Sequence, residues 1–290
     1  MSAISIETKK VPELVAITAP ADSHVIPIHD GTGLKKITFA NFKAKAVEDT
    51  EAKIAPLLFN NAGAHNAIYR GKSLGTSVTT AQYNAIAAGT FTDMYIGDYW
   101  TISGVVYRIA AFDYYLNCGD TSCTTHHVVF VPDSCLYTHV MNDTNITTGG
   151  YVGSKMYTEG LAQAKTTIKA AFSGHVLSHR VYLTNAVSEG HPSAGAWCDS
   201  EVELMNEQMV YGGSIFMPHA NGSAVYTNYR VEKSQLPLFA HEPSRICNRA
   251  TYWLRDVVSA SDFAYVGCNG DANSGGAGYA LGVRPAFCIS

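Results

Sequence analysis

The sequence of 290 residues predicts an α+β fold, and three observations lead to that class. Helical and short strand patterns fill the first half, long loops follow, and the chain closes with an apolar strand. That order is typical of an α+β domain. Hydrophobic residues make up 47% of the chain, which is enough for a sizeable core. No internal repeat is visible.

The N-terminal segment, residues 1–45, contains an apolar run, an Asp-Gly-Thr-Gly turn and a second apolar run within HVIPIHDGTGLKKITFANFKAK. This pattern predicts a β-hairpin that leads into a short helix. Residues 46–66 mix charged and small side chains, so we interpret them as a linker or short helix that joins this segment to the body. Such a connection is a suitable place for a trimer axis. The body is predicted to span residues 67–290.

The first elements of the body follow from local signals. Thr79 and Gln82 match a capping box, which predicts a helix over residues 79–88. Alternating apolar and polar residues on either side of a Ser-Gly turn predict two strands between residues 91 and 116. HHVVFVPDSCLY predicts another strand, which Pro132 ends.

Two more helices are predicted further along the chain. Ser200 and Glu203 match a second capping box, which predicts a short third helix over residues 201–212. Apolar residues at helical spacing predict the second helix, and they are Met156, Leu161, Ala164, Ile168 and Phe172.

Residues 262–281, DFAYVGCNGDANSGGAGYAL, form the least regular part of the sequence, and we call them the C-terminal tract. Phe263 and Val266, together with Val283 and Phe287 just beyond the tract, are spaced like inward-facing residues of short strands. The intervening positions are small, polar or aromatic and are predicted to be exposed. Four glycines favour short strands and turns. An ordinary glycine-rich loop is the alternative interpretation.

The tract lies between YWLRD at residues 252–256 and GVRPAF at residues 282–287. This bracket resembles the C-terminal end of C-type-lectin-like domains in phage and prophage tail proteins, which are related in architecture to formylglycine-generating enzymes. In many such proteins a diversity-generating retroelement randomises this end at template adenines. The chain has Tyr252 where a second Trp is usual in that pattern. DGTGLKKITFANF also resembles the virion-anchoring end of phage fibre proteins.

The resemblance implies a fibre or tail-tip protein of a phage virion, made in the host cytoplasm without an export signal. Its C-type-lectin-like domain would bind a host-surface glycan or protein, while the small β-rich N-terminal attachment segment would contact other virion proteins. A homotrimer is expected. The residue types that such randomisation can produce define the expected receptor-binding face: Asp262, Ala264, Tyr265, Gly267, Cys268, Asn269, Asp271, Asn273, Ser274, Gly275, Ala277, Tyr279 and Leu281.

Within this face Tyr265 and Tyr279 are the strongest contact candidates, because Tyr offers a large rigid surface with a polar tip. We interpret Trp253, Arg255 and Arg284 in the bracket as scaffold. A structural head or collar decoration protein (a head fibre) with the same fold is the alternative function. A cell-displayed bacterial adhesin is a third, which the missing export signal disfavours.

Composition restricts the partners. Charged residues are 15% of the chain and the net charge is −4, which argues against nucleic-acid binding. No apolar run reaches the length of about 18 residues that a membrane span needs, so no membrane insertion is expected. Seven cysteines are an odd number without regular spacing, which indicates reduced and mostly buried thiols.

Catalysis, metal and cofactors are not expected. Cys118, Cys123, His126 and His127 form C-x4-C-x2-H-H, but this spacing matches no zinc finger, and buried thiols with strand-end histidines explain it better. His191 and His241 lie beside prolines in predicted loops, and no nucleophile motif accompanies them. Among the cysteines near the C-terminus, Cys268 and Cys288 are poor matches to the reactive site of formylglycine-generating enzymes.

Overall fold

The computed structural model describes residues 19–29, 31–58, 60–215 and 234–290. The chain divides into two compact units, residues 1–58 and residues 59–290. As predicted, the fold mixes helices and sheets, and sheet predominates. Among the described residues, no helix combines the length and apolar character that crossing a membrane requires.

The N-terminal unit contains the predicted hairpin, followed by a helix that is longer than predicted. No Gly or Pro occurs between residues 39 and 55, so nothing in that stretch interrupts the helix, which covers much of the segment 46–66. The backbone N–H of Phe39 donates to the carbonyl of His24 at 2.7 Å and joins the helix to the hairpin. The elements are β1 (Val25–His29), β2 (Leu34–Thr38) and α1 (Phe39–Leu58).

The second unit begins before residue 67, where the body was predicted to start. A short helix, α2 (Ala62–Asn66), places His65 in the interior. The side-chain amide of Asn66 donates to the carbonyl of Phe112 at 2.9 Å and accepts from its N–H at 2.8 Å. These two bonds attach α2 to the strand that contains Phe112, which explains why the helix belongs to the second unit.

The first large sheet of this unit has five strands, and every neighbouring pair is antiparallel. The last strand of the chain lies inside this sheet rather than at its edge, and Phe287 pairs with both neighbouring strands. In spatial order the strands are β3 (Tyr99–Ile102), β4 (Val105–Phe112), β5 (Val128–Pro132), β14 (Pro285–Ile289) and β9 (Val202–Leu204).

The second large sheet also has five strands and contains the whole C-terminal tract. β10 and β13 pair in parallel, and the other neighbours are antiparallel. Arg284 is the single residue between β13 and β14, so it marks the point where the chain passes from this sheet into the first. In spatial order the strands are β12 (Ala272–Gly276), β11 (Asp262–Val266), β10 (Tyr252–Val257), β13 (Leu281–Val283) and β6 (Tyr137–His139).

The sequence analysis located the first elements of the body correctly. α3 (Thr80–Ala87) begins with the predicted capping box, in which the Thr79 hydroxyl accepts from Gln82 N–H and the Gln82 side chain accepts from Thr79 N–H. β3 and β4 meet at the Ser-Gly turn, and β5 ends at Pro132 as predicted.

The helix predicted from apolar spacing is also present. It consists of a π-helical turn, Met156–Gly160, that continues into α4 (Leu161–Phe172). All five residues predicted to face the core are fully buried. The Phe172 ring lies 5.2 Å from the ring of Phe287 and 5.1 Å from that of Tyr107, so α4 packs against the first sheet.

The capping box predicted at Ser200 and Glu203 is wrong. Residues 202–204 form β9, which pairs with β14, and Glu203 is buried where its carboxylate accepts from the Tyr151 hydroxyl at 2.8 Å. Burial raises the pKa of Glu203. The helix is restricted to α5 (Glu207–Tyr211), and its true cap is Asn206, whose side chain accepts from Met209 N–H.

A long hairpin was missed by the sequence analysis. β7 (His179–Ser188) and β8 (His191–Ser200) pair along ten residues each, with register irregularities near Ala186. His191, placed in a loop by the sequence, is the first residue of β8. His241 is the last residue of α6 (Pro237–His241), a short helix after residue 234.

Candidate functional site at the C-terminal tract

The C-terminal tract consists of β11, a tight turn at residues 267–271, β12, a loop at residues 277–280 and the first residue of β13. β11 lies between β10 and β12, so its backbone is hydrogen-bonded on both sides. The alternative of an irregular glycine-rich loop is therefore wrong. Side chains on β11 and β12 are carried by a paired backbone, which holds them in place more firmly than an open loop would.

The inward-facing set predicted from the sequence is confirmed. Phe263, Val266, Val283 and Phe287 are all buried, with exposure between 0% and 1%. The bracket sequence YWLRD is buried as well, since it lies in β10, every residue of which is buried. The Trp253 indole N–H donates to the carbonyl of His139 at 3.0 Å, which fixes β10 near β6 at the other edge of the sheet.

Nine of the thirteen predicted face residues are accessible. Among these face residues, Tyr279 has the most exposed large side chain, at 58%. Tyr265 is half-buried and pairs across the strands with Asn273. The exposed residues are Cys268, Asn269, Asp271, Asn273 and Tyr279, and the half-buried ones are Asp262, Tyr265, Ser274 and Leu281.

The other four were predicted to be exposed, and the structure contradicts this for Ala264, Gly267, Gly275 and Ala277, which are buried. Ala264 alternates with Tyr265 along β11 and shares the face of buried Val266. Ala277 lies in a loop whose backbone is bonded on both sides, donating to Ser261 and accepting from Asn142, each at 2.9 Å.

The two buried glycines, Gly267 and Gly275, are covered by neighbouring side chains that leave no room for a Cβ. A Cβ on Gly267 would overlap the carboxylate of Asp271, whose backbone carbonyl accepts from Gly267 N–H at 2.7 Å across the turn. A Cβ on Gly275 would lie 3.0 Å from Cε1 of Tyr265 and 3.3 Å from Cδ2 of Tyr279. Gly275 therefore lies directly beneath both tyrosine rings, and the absence of a side chain there brings the two rings to one place.

Residues outside the tract support it, and the sequence analysis missed them. The Asn145 side chain accepts from Gly278 N–H at 2.8 Å, and the Tyr211 hydroxyl donates to the carbonyl of Gly270 at 3.2 Å. The Cys247 thiol donates to the carbonyl of Cys268 at 3.0 Å. No sequence pattern identifies these contacts, because each joins positions far apart in the chain.

The bracket arginines have the scaffold role that was predicted. Arg255 donates to the carbonyl of Leu204 at 2.9 Å, which links the two large sheets. Arg284 is fully buried and donates to the Tyr252 hydroxyl and to three backbone carbonyls, those of Pro132, Arg245 and Ile246.

The Cys-His cluster is built differently from a metal site. His127 is fully buried, its Nδ1 lies 2.9 Å from the carbonyl of Thr125, and its Nε2 accepts from Tyr115 N–H at 3.0 Å. Both ring nitrogens are therefore occupied, and His126 bonds to Asp113 at 2.7 Å. Across the described ranges there is no group of three or more His, Cys, Asp or Glu side chains placed to hold a metal ion.

The seven cysteines are all free thiols, but fewer are buried than predicted. Only Cys288 is fully buried, and burial raises the pKa of its thiol well above the usual value. Cys268 is exposed in the turn of the tract, and the other five are half-buried.

Comparison with known proteins adds one finding. Residues 199–290 are similar to a family described as a domain of unknown function, DUF6273. This match includes β9, the tract and both bracket sequences, so the candidate site lies inside the matched region. No curated protein and no solved structure matches the chain.

Proposed function

We propose that this protein is a phage or prophage virion protein, a fibre or tail-tip component, that binds a host-surface receptor through the C-terminal tract and performs no chemistry. The observation that carries the proposal is the pair Tyr265 and Tyr279 above Gly275. Two tyrosines at one place, surrounded by small polar side chains, offer aromatic contact area with hydroxyl hydrogen bonding, which is the composition of protein recognition surfaces.

A division between scaffold and surface supports the same proposal. The bracket sequences supply the buried strands β10, β13 and β14, and the exposed tract residues lie between them in sequence. Exposed positions on such a scaffold tolerate substitution, since surface changes usually alter stability by less than about 0.5 kcal/mol. A retroelement that randomises the exposed positions would change the ligand while the fold is kept.

For the second unit we propose a C-type-lectin-like arrangement. Its compactness as one body and its combination of helices with two antiparallel-rich sheets support this fold. An experimentally determined structure with two separate cores between residues 59 and 290, or an all-β sandwich, would exclude it. With several copies per virion, even weak binding at each face would add to strong attachment.

The test is host-cell binding by Tyr279→Ala and Tyr265→Ala. Loss of an aromatic anchor at the centre of an interface typically costs about 2 kcal/mol or more, so we expect at least a tenfold loss of binding. Tyr279→Ala should leave the melting temperature unchanged because the ring is exposed. Tyr182→Ala, in the separate hairpin β7–β8, is the matched control and should bind normally.

Wild-type binding by both variants, with the fold intact, would contradict the receptor-binding role and favour a structural head or collar decoration protein. The neighbouring DNA gives an independent check. A near-copy of the stretch coding for residues 252–287, with adenines at the differing sites and a reverse transcriptase gene nearby, is expected if the tract is diversified.

A further inference from the structure

A pocket of about 430 Å³ lies beside the C-terminal tract, and it is rich in arginine. Its wall contains the 3₁₀ turn Pro243–Arg245 and the loop that follows. The Cys247 thiol at its edge donates to the carbonyl of Cys268, so the pocket adjoins the exposed turn of the tract. The main lining residues are Asp133, Arg245, Cys247, Asn248, Arg249 and Arg284.

Positive charge exceeds negative charge around this pocket. Asp133 accepts from Arg108 at 2.7 Å and lies 3.7 Å from Arg245, so a single carboxylate is shared by two guanidinium groups. The guanidinium of Arg284 donates its hydrogen bonds to uncharged oxygens.

The nearest further carboxylate in the hydrogen-bond network is that of Glu242, which accepts from the Ser244 hydroxyl at the edge of the pocket. Three arginines, Arg245, Arg249 and Arg284, thus line the pocket against the single carboxylate of Asp133, a local excess of two positive charges. The whole chain has a net charge of −4, so this excess is a local feature rather than a general one.

Arg249 has donors left for a ligand, and in the described part of the chain Arg245 has one unpaired donor that is buried beside the pocket. The Nε–H of Arg245 is buried without a hydrogen-bond partner among the described residues, and a buried donor without an acceptor is costly. Arg249 is exposed, and no carboxylate of the described part of the chain lies within ion-pair distance of it. Its backbone is held at φ +61°, a conformation uncommon for a residue other than glycine, and such positions are often found at ligand sites.

From these observations we propose that the pocket binds an oxyanion, a phosphate, sulfate or carboxylate group carried by the ligand. A cation is excluded by the excess of guanidinium groups, and an apolar ligand would leave the guanidinium of Arg249 without an acceptor. Guanidinium groups suit oxyanions because their planar donors match two oxygens at once. The pocket adjoins the tyrosine pair of the tract only through the turn at residues 267–271. Anion binding in the pocket therefore goes beyond the proposed receptor binding and does not depend on it.

The experiment is calorimetric titration of the full chain with three probes, inorganic phosphate, inorganic sulfate and glucuronate, against chloride at matched ionic strength. We expect saturable binding of at least one probe at one site per chain. The probe that binds identifies the class of anion, and binding of glucuronate would indicate an acidic sugar as the source.

The variants are Arg249→Gln and Arg245→Gln, each of which removes the charge and keeps a polar side chain. We expect each to weaken binding at least tenfold. The control Lys169→Gln removes the same charge from the surface of α4 and should bind as the wild type does. A melting temperature within a few degrees of the wild type establishes that the variants fold. For a chain of this size, a loss of about 1 kcal/mol in the free energy of unfolding lowers the melting temperature by about 2–4 °C.

The proposal is overturned if no probe binds saturably, or if Arg249→Gln and Lys169→Gln bind equally well. Measuring host-cell binding by the same variants distinguishes a failure of the oxyanion site from a failure of the receptor role. If Tyr279→Ala loses cell binding and Arg249→Gln keeps both cell and anion binding, the receptor role stands and the oxyanion site fails.

Discussion

His179 is a buried imidazole at the start of β7, and neither ring nitrogen has a hydrogen-bond partner in the described part of the chain. Its ring lies 4.0 Å from the ring of Tyr115. Burial lowers the pKa of His179 to about 3, from an ordinary value of 6.5. Between these two pH values the unfolded chain binds a proton that the folded chain does not, so acidification destabilises the fold.

We predict that the free energy of unfolding falls as the pH is lowered from about 6.5 towards 3. By pH 4.5 the contribution of His179 should reach roughly 3 kcal/mol, since one pKa unit corresponds to about 1.4 kcal/mol. The comparison is urea unfolding of the wild type and His179→Phe at pH 7 and pH 4.5. The variant should lose less stability, and His191→Phe, an exposed control in the same hairpin, should behave like the wild type. Parallel losses in all three would contradict the prediction.

Arg284 shows how one buried cation joins two sheets. It lies between β13 and β14 and donates to four oxygens, none of which is charged. Replacing it with Met keeps much of the volume but leaves buried carbonyls and the Tyr252 hydroxyl without donors. We therefore predict that Arg284→Met lowers the free energy of unfolding by roughly 3 kcal/mol or more. Arg249→Gln, an exposed neighbour, is the control in the same denaturation series, and an equal effect of both would be inconsistent with this role.

At the scale of elements, α3 is the clearest case of local control. Its N-terminus is set by the Thr79 hydroxyl, which accepts from Gln82 N–H at 3.2 Å, and by the return bond from Thr79 N–H to the Gln82 side chain at 2.9 Å. We predict that Thr79→Ala lowers the free energy of unfolding by about 1 kcal/mol. Thr80→Ala, one residue into the helix, changes no cap and should have little effect. Chemical denaturation compares the two, and a similar loss in both would refute the capping role.

The predictions from sequence patterns were correct where the whole pattern lies within one segment of the chain. The π-helical turn and α4 together show five apolar residues at helical spacing, and β3–β4 shows alternation around a Ser-Gly turn. Ser200 and Glu203 gave a false helix start, because Glu203 is taken into β9 by pairing with β14, more than eighty residues away in the chain. The hairpin β7–β8 was missed because the alternation of burial is confined to the first six residues of β7 and is absent from most of β8.

At the scale of the whole molecule, exposed apolar side chains are concentrated in the N-terminal unit. Of the nine large hydrophobic residues that are exposed in the described ranges, five lie there: Val25, Ile28, Leu34, Phe42 and Val47. Exposed apolar groups of this kind often mark surfaces that associate with other chains. This observation supports the proposed homotrimer and suggests that the N-terminal unit forms its contacts.

We predict that the full chain sediments as a trimer at micromolar concentration, and that residues 59–290 alone fold but sediment as a monomer. The second unit has its own core, so it should keep its melting temperature after the deletion. Analytical ultracentrifugation and thermal denaturation measure the two results. A monomeric full chain would contradict the trimer, and a trimeric second unit would place the association surface elsewhere.

The sequence alone determined the class of the fold, the capping box of α3, the apolar face of α4 and the buried set Phe263, Val266, Val283 and Phe287, because each depends on spacing within one segment. Only the tertiary structure decided which tract residues are accessible. Gly275 is covered by Tyr265 and Tyr279, and Ala277 by a loop from residues 142–145. The arginine pocket likewise joins three segments of the chain, and contacts between distant segments leave no periodic signal in the sequence.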